Sequence, residues 1–207
     1  MSTSDLRSTA RSVGPASPWR RLHLIAGHKG IYIAEQLLWV LPNLLAVITF
    51  VGLAVALAPA DRGLALLGGV VGAVPWALFL AIPTTSRGST VLVFLSDQYM
   101  AAGMEERGAF AAAAEAIVAE NHTPSAAGML SAFGILVISL VMLRSELPRA
   151  LAWLGITTGG LGIISEVLRY AAPFFYWGYG VLLWAWFVAA GVVLLRLARR
   201  GSSSPAP

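Results

Sequence analysis

Three carboxylates lie within apolar stretches of the chain, and they are the side chains best suited to acid–base chemistry: Glu35, Asp97 and Glu166. A charged Asp at the centre of a membrane helix costs about 3 kcal/mol on insertion scales, so such acids face a bundle interior or water and are candidates for function. We therefore treat these three acids as candidate catalytic residues.

Asp97 is the acid that we expect to be most sensitive to substitution. It is flanked by Ser96 and Gln98 in an otherwise apolar segment. At 1.5 Å per residue it lies about 12 Å into a span that begins at residue 89. Burial there would favour the neutral carboxylic acid, which can donate a proton. If the segment does not cross the membrane, Asp97 instead meets water.

The other two acids lie closer to the ends of their apolar runs. Glu35 lies about 7 Å into the first run and can reach the headgroups. Glu166 precedes Arg169 by three residues, so the two side chains can pair on one helix face. An exposed pair of this kind contributes at most about 1 kcal/mol.

Four aromatic residues are candidates for lining a ligand pocket: Tyr32, Trp39, Trp184 and Trp186. Aromatic faces stabilise cations, which an acid-initiated reaction on a lipophilic substrate would generate. Trp184 and Trp186 project roughly 200° apart on a helix, so only one of them can easily face a shared pocket.

Several classes of chemistry have no support in the sequence. The chain has no Cys, which excludes disulfides, thiolate metal sites and iron–sulfur clusters. Its three His residues lie outside the apolar runs, so a haem held by two histidines within the membrane is excluded. Phosphate-binding loops, zinc-protease motifs and serine-hydrolase motifs are absent from the sequence. We predict no cofactor and no metal.

The composition indicates a membrane protein. Hydrophobic residues make up 57% of the 207 residues, charged residues only 12%, and the mean hydropathy is +0.76. Soluble domains carry roughly 25% charged residues. The net charge of +4 comes from basic residues beside apolar runs, which orient a membrane protein, rather than from a nucleic-acid-binding patch. The expected partner is therefore the lipid bilayer, with no nucleic acid.

The apolar runs predict an all-α, polytopic transmembrane helix bundle. Pro42 lies within the first run and predicts a kink there. Pairs of glycines spaced four apart, Gly68 with Gly72 and Gly155 with Gly159, predict close packing between helices of one chain. The predicted spans are residues 30–58, 64–83, 89–104, 124–143, 150–170 and 175–195.

The basic residues favour six spans over five. If residues 89–104 cross, both termini are cytoplasmic, and 11 basic residues lie inside against 3 outside. If that segment does not cross, five spans place 8 basic residues inside and 6 outside. We therefore predict six spans in the cell's inner membrane, with five as the alternative.

The transmembrane domain covers residues 30–200, with polar segments around it. Residues 1–17 and 201–207 are predicted to be disordered tails. Residues 18–29 carry Trp19, Leu22 and Ile25 at helical spacing among basic side chains, which predicts an amphipathic helix on the membrane surface. Residues 105–120 are rich in Ala and Glu, and are typical of a helix outside the membrane.

Residues 90–170 resemble a family of small bacterial multi-pass membrane proteins, the domain-of-unknown-function 4386 family. The resemblance rests on Leu95-Ser96-Asp97-Gln98-Tyr99, on the acidic helix 105–120, and on the turn Arg144-Ser145 followed by Leu147-Pro148-Arg149. It implies an inner-membrane protein of the same fold. The family has no settled activity to carry over.

Three functions fit these residues. The first is a non-enzymatic accessory protein or a bundle that binds a small lipophilic molecule. The second is a membrane-embedded enzyme, such as an acid-initiated cyclase of isoprenoid-like molecules, which needs a buried acid beside aromatic faces. The third is a proton- or cation-coupled transporter that uses the three acids at successive depths. Dispersed acids would favour the first function, and the sequence does not determine the oligomeric state.

Overall fold

The structure is a computed structural model that describes residues 18–81, 84–85, 88–120, 125–169, 171–172 and 174–202. The described chain is helical apart from one short antiparallel ladder, which confirms the all-α prediction. The helices are α1 (Pro18–Gly27), α2 (Lys29–Leu38), α3 (Val40–Leu57), α4 (Arg62–Ala81), α5 (Val91–Ala101), α6 (Arg107–Glu120), α7 (Ala126–Met142), α8 (Arg149–Val167) and α9 (Phe174–Ser202). The ladder pairs β1 (Thr84–Thr85) with β2 (Gly88–Ser89).

Four helical segments are long and apolar enough to cross a membrane, with α2 and α3 counted together as one segment. They are Lys29–Leu57, Arg62–Leu80, Arg149–Val167 and Phe174–Arg200. Helix α7 has 17 residues and α5 has 11. At 1.5 Å per residue, α5 is about 16 Å long, roughly half the thickness of the hydrocarbon core. The prediction of six spans with cytoplasmic termini is not confirmed by the described residues.

The first apolar run is interrupted near its proline. Helix α2 ends at Leu38 and α3 begins at Val40, four and two residues before Pro42 respectively. A proline cannot donate the helical hydrogen bond to the carbonyl four residues earlier, which belongs to Leu38, and its ring clashes with that carbonyl. This accounts for the break at Trp39.

The described chain divides into two compact units. The first unit contains α1, α2, the ladder, α5 and α6. The second contains α3, α4, α7, α8 and α9. The predicted tail of residues 1–17 lies outside the described residues, as do residues 203–207, while 201 and 202 end α9.

The first unit has its own apolar core. The side of α1 that carries Leu22 and Ile25 packs against Leu92 and Tyr99 of α5 and Ala111 of α6. The helical spacing that predicts an amphipathic helix is therefore present, and both apolar residues are buried within the protein. Binding of the membrane surface by residues 18–29 stays a prediction.

In the second unit, helices that follow one another in this bundle are antiparallel. Facing residues on each helix pair run in opposite directions along the chain. Between α3 and α4 the pairs are Phe50 with Gly72 and Ala54 with Gly69, and between α4 and α7 they are Gly68 with Ile138 and Trp76 with Ser131. Between α7 and α8 they are Gly128 with Glu166 and Ser139 with Gly155, and between α8 and α9 they are Gly155 with Trp186 and Gly162 with Tyr179. Helix α9 packs beside α3 in the parallel sense, because Phe50 contacts Phe187 and Gly52 faces Leu194.

Glycines allow these helices to approach closely. A Cβ on Gly134 would overlap the backbone of Gly72, and a Cβ on Gly159 would lie 2.6 Å from the carbonyl oxygen of Ala132. Gly68 and Gly155 likewise face α7. The prediction that both glycine pairs serve packing within the chain is confirmed.

The ends of the five helices in the second unit can be assigned to two opposite ends of the bundle. Arg144, after α7, lies 3.7 Å from Asp61, which precedes α4, so the α3–α4 and α7–α8 turns share one end. The C-terminus of α4 and the N-terminus of α7 therefore share the other end. The chain leaves α4 and enters α7 at the same end of the bundle.

Candidate functional site

The three predicted acids do not form one site. Glu35 and Asp97 belong to the first unit, and Glu166 belongs to the second. Each acid is therefore described within its own unit.

Glu166 is buried in a dense set of hydrogen bonds. Nη1 of Arg169 donates to both carboxylate oxygens, at 3.1 and 2.9 Å. The backbone N–H of Ser125 donates to Oε2 at 3.1 Å. The Glu166 and Arg169 side chains are only 2% and 10% exposed. The predicted pairing is confirmed, whereas the assumption that the pair is exposed is wrong.

Local chemistry around Glu166 accounts for its position. Ser125 caps α7, since its Oγ accepts the backbone N–H of Gly128 at 3.3 Å. A carboxylate beside a helix N-terminus is favoured by the helix dipole. Gly128 leaves room for the carboxylate, which a Cβ at that position would overlap. Sequence reasoning missed Ser125 and Gly128, although a Ser directly before an apolar helix is a recognisable N-cap signal.

Arg169 is held from a second side by an aromatic ring. Its Cζ atom lies 4.1 Å from the centre of the Tyr176 ring, which is the geometry of a cation–π interaction. Tyr179, one helical turn further, is buried against Gly162. The Arg169 guanidinium thus lies between the Glu166 carboxylate and the Tyr176 ring, and the arrangement links α8, α9 and the start of α7.

Asp97 has different surroundings. It forms an ion pair with Lys29, the first residue of α2. The two side chains are 47% and 43% exposed, respectively. Exposed pairs contribute about 1 kcal/mol or less. The pair joins α2 to α5 within the first unit, and a role of Asp97 in proton transfer stays a prediction.

The candidate residues on α2 join neighbouring elements. Tyr32 Oη donates to the backbone carbonyl of Ser89 at 3.2 Å, which attaches α2 to the ladder. Glu35 is half-buried on the same helix, and Trp39 is partly exposed at the break before α3. Tyr32 and Glu35 therefore lie one turn apart on α2, while Trp184 and Trp186 belong to the second unit.

The second unit contains an aromatic cluster around Phe187. Its ring centre lies 5.2 Å from that of Trp186, 5.3 Å from Trp76 and 5.8 Å from Phe50. Trp186 is fully buried, whereas Trp184 is 40% exposed, as their spacing on a helix predicts. Sequence reasoning missed Phe50 and Trp76, because they come from other helices far away in the chain.

Four polar side-chain atoms lie within this aromatic core. Trp76 Nε1 donates to Ser131 Oγ at 2.9 Å, which joins α4 to α7. Trp186 Nε1 and Ser139 Oγ are both buried against Gly155, and neither has a hydrogen-bond partner among the described residues. The cluster is a packed core with few polar groups. Within the described residues, no group of three or more His, Asp or Glu could hold a metal ion.

Comparison with known families identifies the chain. The family profile described as a domain of unknown function, DUF4386, matches residues 6–201. The chain belongs to the DUF4386 family. No curated protein and no solved structure matches the chain.

The DUF4386 match covers residues of both units, including the buried Glu166–Arg169 pair and the exposed Asp97–Lys29 pair. Sequence resemblance rests on residues 90–170, and the family match extends it toward both ends of the chain. Because the DUF4386 description carries no activity, the function has to be argued from these two pairs and from the surfaces of the helices.

Proposed function

We propose that this DUF4386 protein is a non-enzymatic accessory protein of the cell's inner membrane, embedded as a helix bundle. The observation that carries the proposal is the environment of Glu166, the one carboxylate buried among the described residues. Its two oxygens accept three hydrogen bonds from Arg169 and Ser125. A carboxylate whose two oxygens are both engaged by donors within the protein is badly placed to transfer a proton to a substrate.

The two alternatives receive less support. An acid-initiated cyclase needs a neutral acid facing aromatic rings, whereas Glu166 pairs with Arg169. A proton-coupled transporter needs acids that exchange protons along a path, whereas Asp97 and Glu166 are each neutralised by a basic partner.

Deleting the gene tests whether the protein is an enzyme that acts on lipids. We expect whole-cell lipid extracts of the deletion strain and its parent to contain the same lipid species, because no buried acid is available to start a reaction. The measurement is mass spectrometry of both extracts, with the deletion strain carrying the wild-type gene as control. A species that is lost on deletion and restored by the gene would overturn the proposal.

We also propose five membrane spans, formed by α2–α3 together and by α4, α7, α8 and α9. The support comes from the second unit, where the chain leaves α4 and re-enters at α7 on the same end of the bundle. The residues between α4 and α7 therefore cross the membrane either not at all or an even number of times. Helix α5, at about 16 Å, is too short for even one crossing. Packing of α6 against α1 in the first unit supports the same conclusion.

Cysteine labelling distinguishes five spans from six, because the native chain has no Cys. Single variants Arg20→Cys, Met104→Cys and Glu146→Cys place a thiol at three exposed positions. With five spans, residues 20 and 104 lie on one side of the membrane and residue 146 on the other. We expect a membrane-impermeant maleimide to label the first two from the same side of oriented vesicles. Labelling of residues 20 and 146 from one side and residue 104 from the other would establish six spans.

A further inference from the structure

One end of the second unit concentrates the positive charge of the protein. We call it the arginine end: the α3–α4 turn, the α7–α8 turn and the C-terminal part of α9. The contact between Asp61 and Arg144 joins the two turns, and Leu194 against Gly52 places the end of α9 beside them. Six exposed arginines belong to it: Arg62, Arg144, Arg149, Arg196, Arg199 and Arg200.

The whole net charge of the chain comes from this end. Its six arginines and two acids, Asp61 and Glu146, give +4, which equals the net charge of the full sequence. The remaining eight basic and eight acidic residues cancel. The arginine end therefore carries a net positive charge that attracts anions, whereas the formal charges of the remaining residues sum to zero.

The arginines lie at the border of the apolar surface. Arg196 directly follows Leu195, whose side chain is 63% exposed, and Arg149 begins α8 one turn before the exposed Trp153. In a bilayer, exposed Leu side chains contact acyl chains, and Trp rings lie at the level of the headgroups. In a bilayer, Arg149 and Arg196 would therefore lie near the level of the lipid phosphates.

Helix register brings two of these arginines to similar depth. Facing pairs on α8 and α9 are Gly155 with Trp186 and Gly162 with Tyr179, so seven residues along one helix match seven along the other. Following this register, Arg149 lies at the level of residue 192, about one turn from Arg196. Guanidinium groups bind phosphate oxygens through paired hydrogen bonds, so two of them at one depth suit a single headgroup.

We propose that the arginine end binds the headgroup of an anionic phospholipid, with Arg149 and Arg196 on its phosphate and with Trp153 and Leu195 against its glycerol and acyl chains. The exposed apolar side chains beside the two arginines favour a lipid over free phosphate. Clusters of four to eight Arg or Lys on the cytoplasmic side of a membrane helix recognise anionic lipids by this charge attraction. The five-span arrangement with the N-terminus inside places these six arginines on the other side, where the same attraction acts on anionic lipids of that leaflet. The proposal deepens the proposed function and rests on its membrane embedding.

Lipid binding to the purified full-length protein tests this directly. Native mass spectrometry in a neutral detergent would compare dioleoylphosphatidylglycerol, which is anionic, with dioleoylphosphatidylcholine, which is zwitterionic. We expect the wild type to prefer phosphatidylglycerol. Arg149→Gln with Arg196→Gln should weaken phosphatidylglycerol binding about tenfold or more, since each cation near a lipid surface contributes about fivefold to the affinity. Binding of phosphatidylcholine should stay unchanged.

Two further variants serve as controls. Arg20→Gln with Arg21→Gln removes the same charge from the first unit and should keep the preference. Arg149→Lys with Arg196→Lys keeps the positive charge and should retain most of the preference for phosphatidylglycerol. This variant also provides a test if the glutamine variant does not fold. An equal loss in the Arg20–Arg21 variant, an unchanged preference in the Arg149–Arg196 glutamine variant, or displacement of the lipid by millimolar inorganic phosphate would overturn the proposal. Binding in detergent is independent of the deletion and labelling experiments, so their failures are distinguishable.

Discussion

The Glu166→Gln protein should unfold with a free energy about 3–5 kcal/mol lower than that of the wild type. The change leaves the guanidinium of Arg169 buried, with the carboxylate that accepted two of its hydrogen bonds gone. It also weakens the acceptor for the Ser125 N–H at the start of α7. Denaturant unfolding in detergent micelles, followed by circular dichroism, measures the effect.

The chain offers a matched control for Glu166→Gln. Asp97→Asn makes the same chemical change in an ion pair that is nearly half exposed, and it should reduce stability by at most about 1 kcal/mol. Glu166→Gln combined with Arg169→Gln should recover part of the loss, because no buried charge is then left without its partner. If Glu166→Gln and Asp97→Asn lower the free energy of unfolding equally, burial of the Glu166 pair contributes nothing to stability.

Gly159→Ala should destabilise the bundle by about 1–3 kcal/mol or more. The new Cβ would lie 2.6 Å from the carbonyl oxygen of Ala132 and 2.8 Å from the backbone nitrogen of Leu136. Neither backbone atom can move without shifting α7 away from α8. The midpoint of thermal unfolding in detergent, compared with the wild type, measures the loss.

The neighbouring glycine is the control for Gly159→Ala. A Cβ on Gly160 would meet nothing within 4 Å, so Gly160→Ala should be neutral or slightly stabilising, in keeping with the helix propensity of Ala. The two substitutions add the same methyl group to adjacent residues of one helix, and only the contact with α7 differs. If both proteins unfold at the same temperature, close approach of α7 and α8 does not contribute to stability.

Features that depend on local spacing were predictable from the sequence. The glycine pairs four residues apart identify helix faces that pack closely, and the spacing of Trp184 and Trp186 places only one of them in the core. Pairing of Glu166 with Arg169 is of the same kind, since both residues lie on one turn of helix. Each of these depends on the geometry of a single helix.

Features that depend on which distant segments of the chain pack together were not predictable from the sequence. The burial of Glu166 requires Ser125 and Gly128, which are about 40 residues away and reach it only because α7 and α8 are antiparallel. The number of spans is not confirmed for a related reason. Residues 89–104 are apolar enough to suggest a crossing, but hydropathy carries no information on which end of the bundle α7 enters. Counting basic residues favours six spans, whereas the packing of α6 against α1 supports the five spans that we propose.

The helices of the second unit differ in length and exposure, and these differences determine which of them depends on the thickness of the bilayer. Helix α7, with 17 residues, is about 26 Å long and packs between α4 and α8, whereas α9, with 29 residues, is about 44 Å long and mostly exposed. An enclosed helix need not match the hydrocarbon core of about 30 Å, but an exposed one must tilt or extend beyond it. We therefore expect lipid chain length to act on the embedded protein through α9, with less tilt of this helix in a thicker membrane.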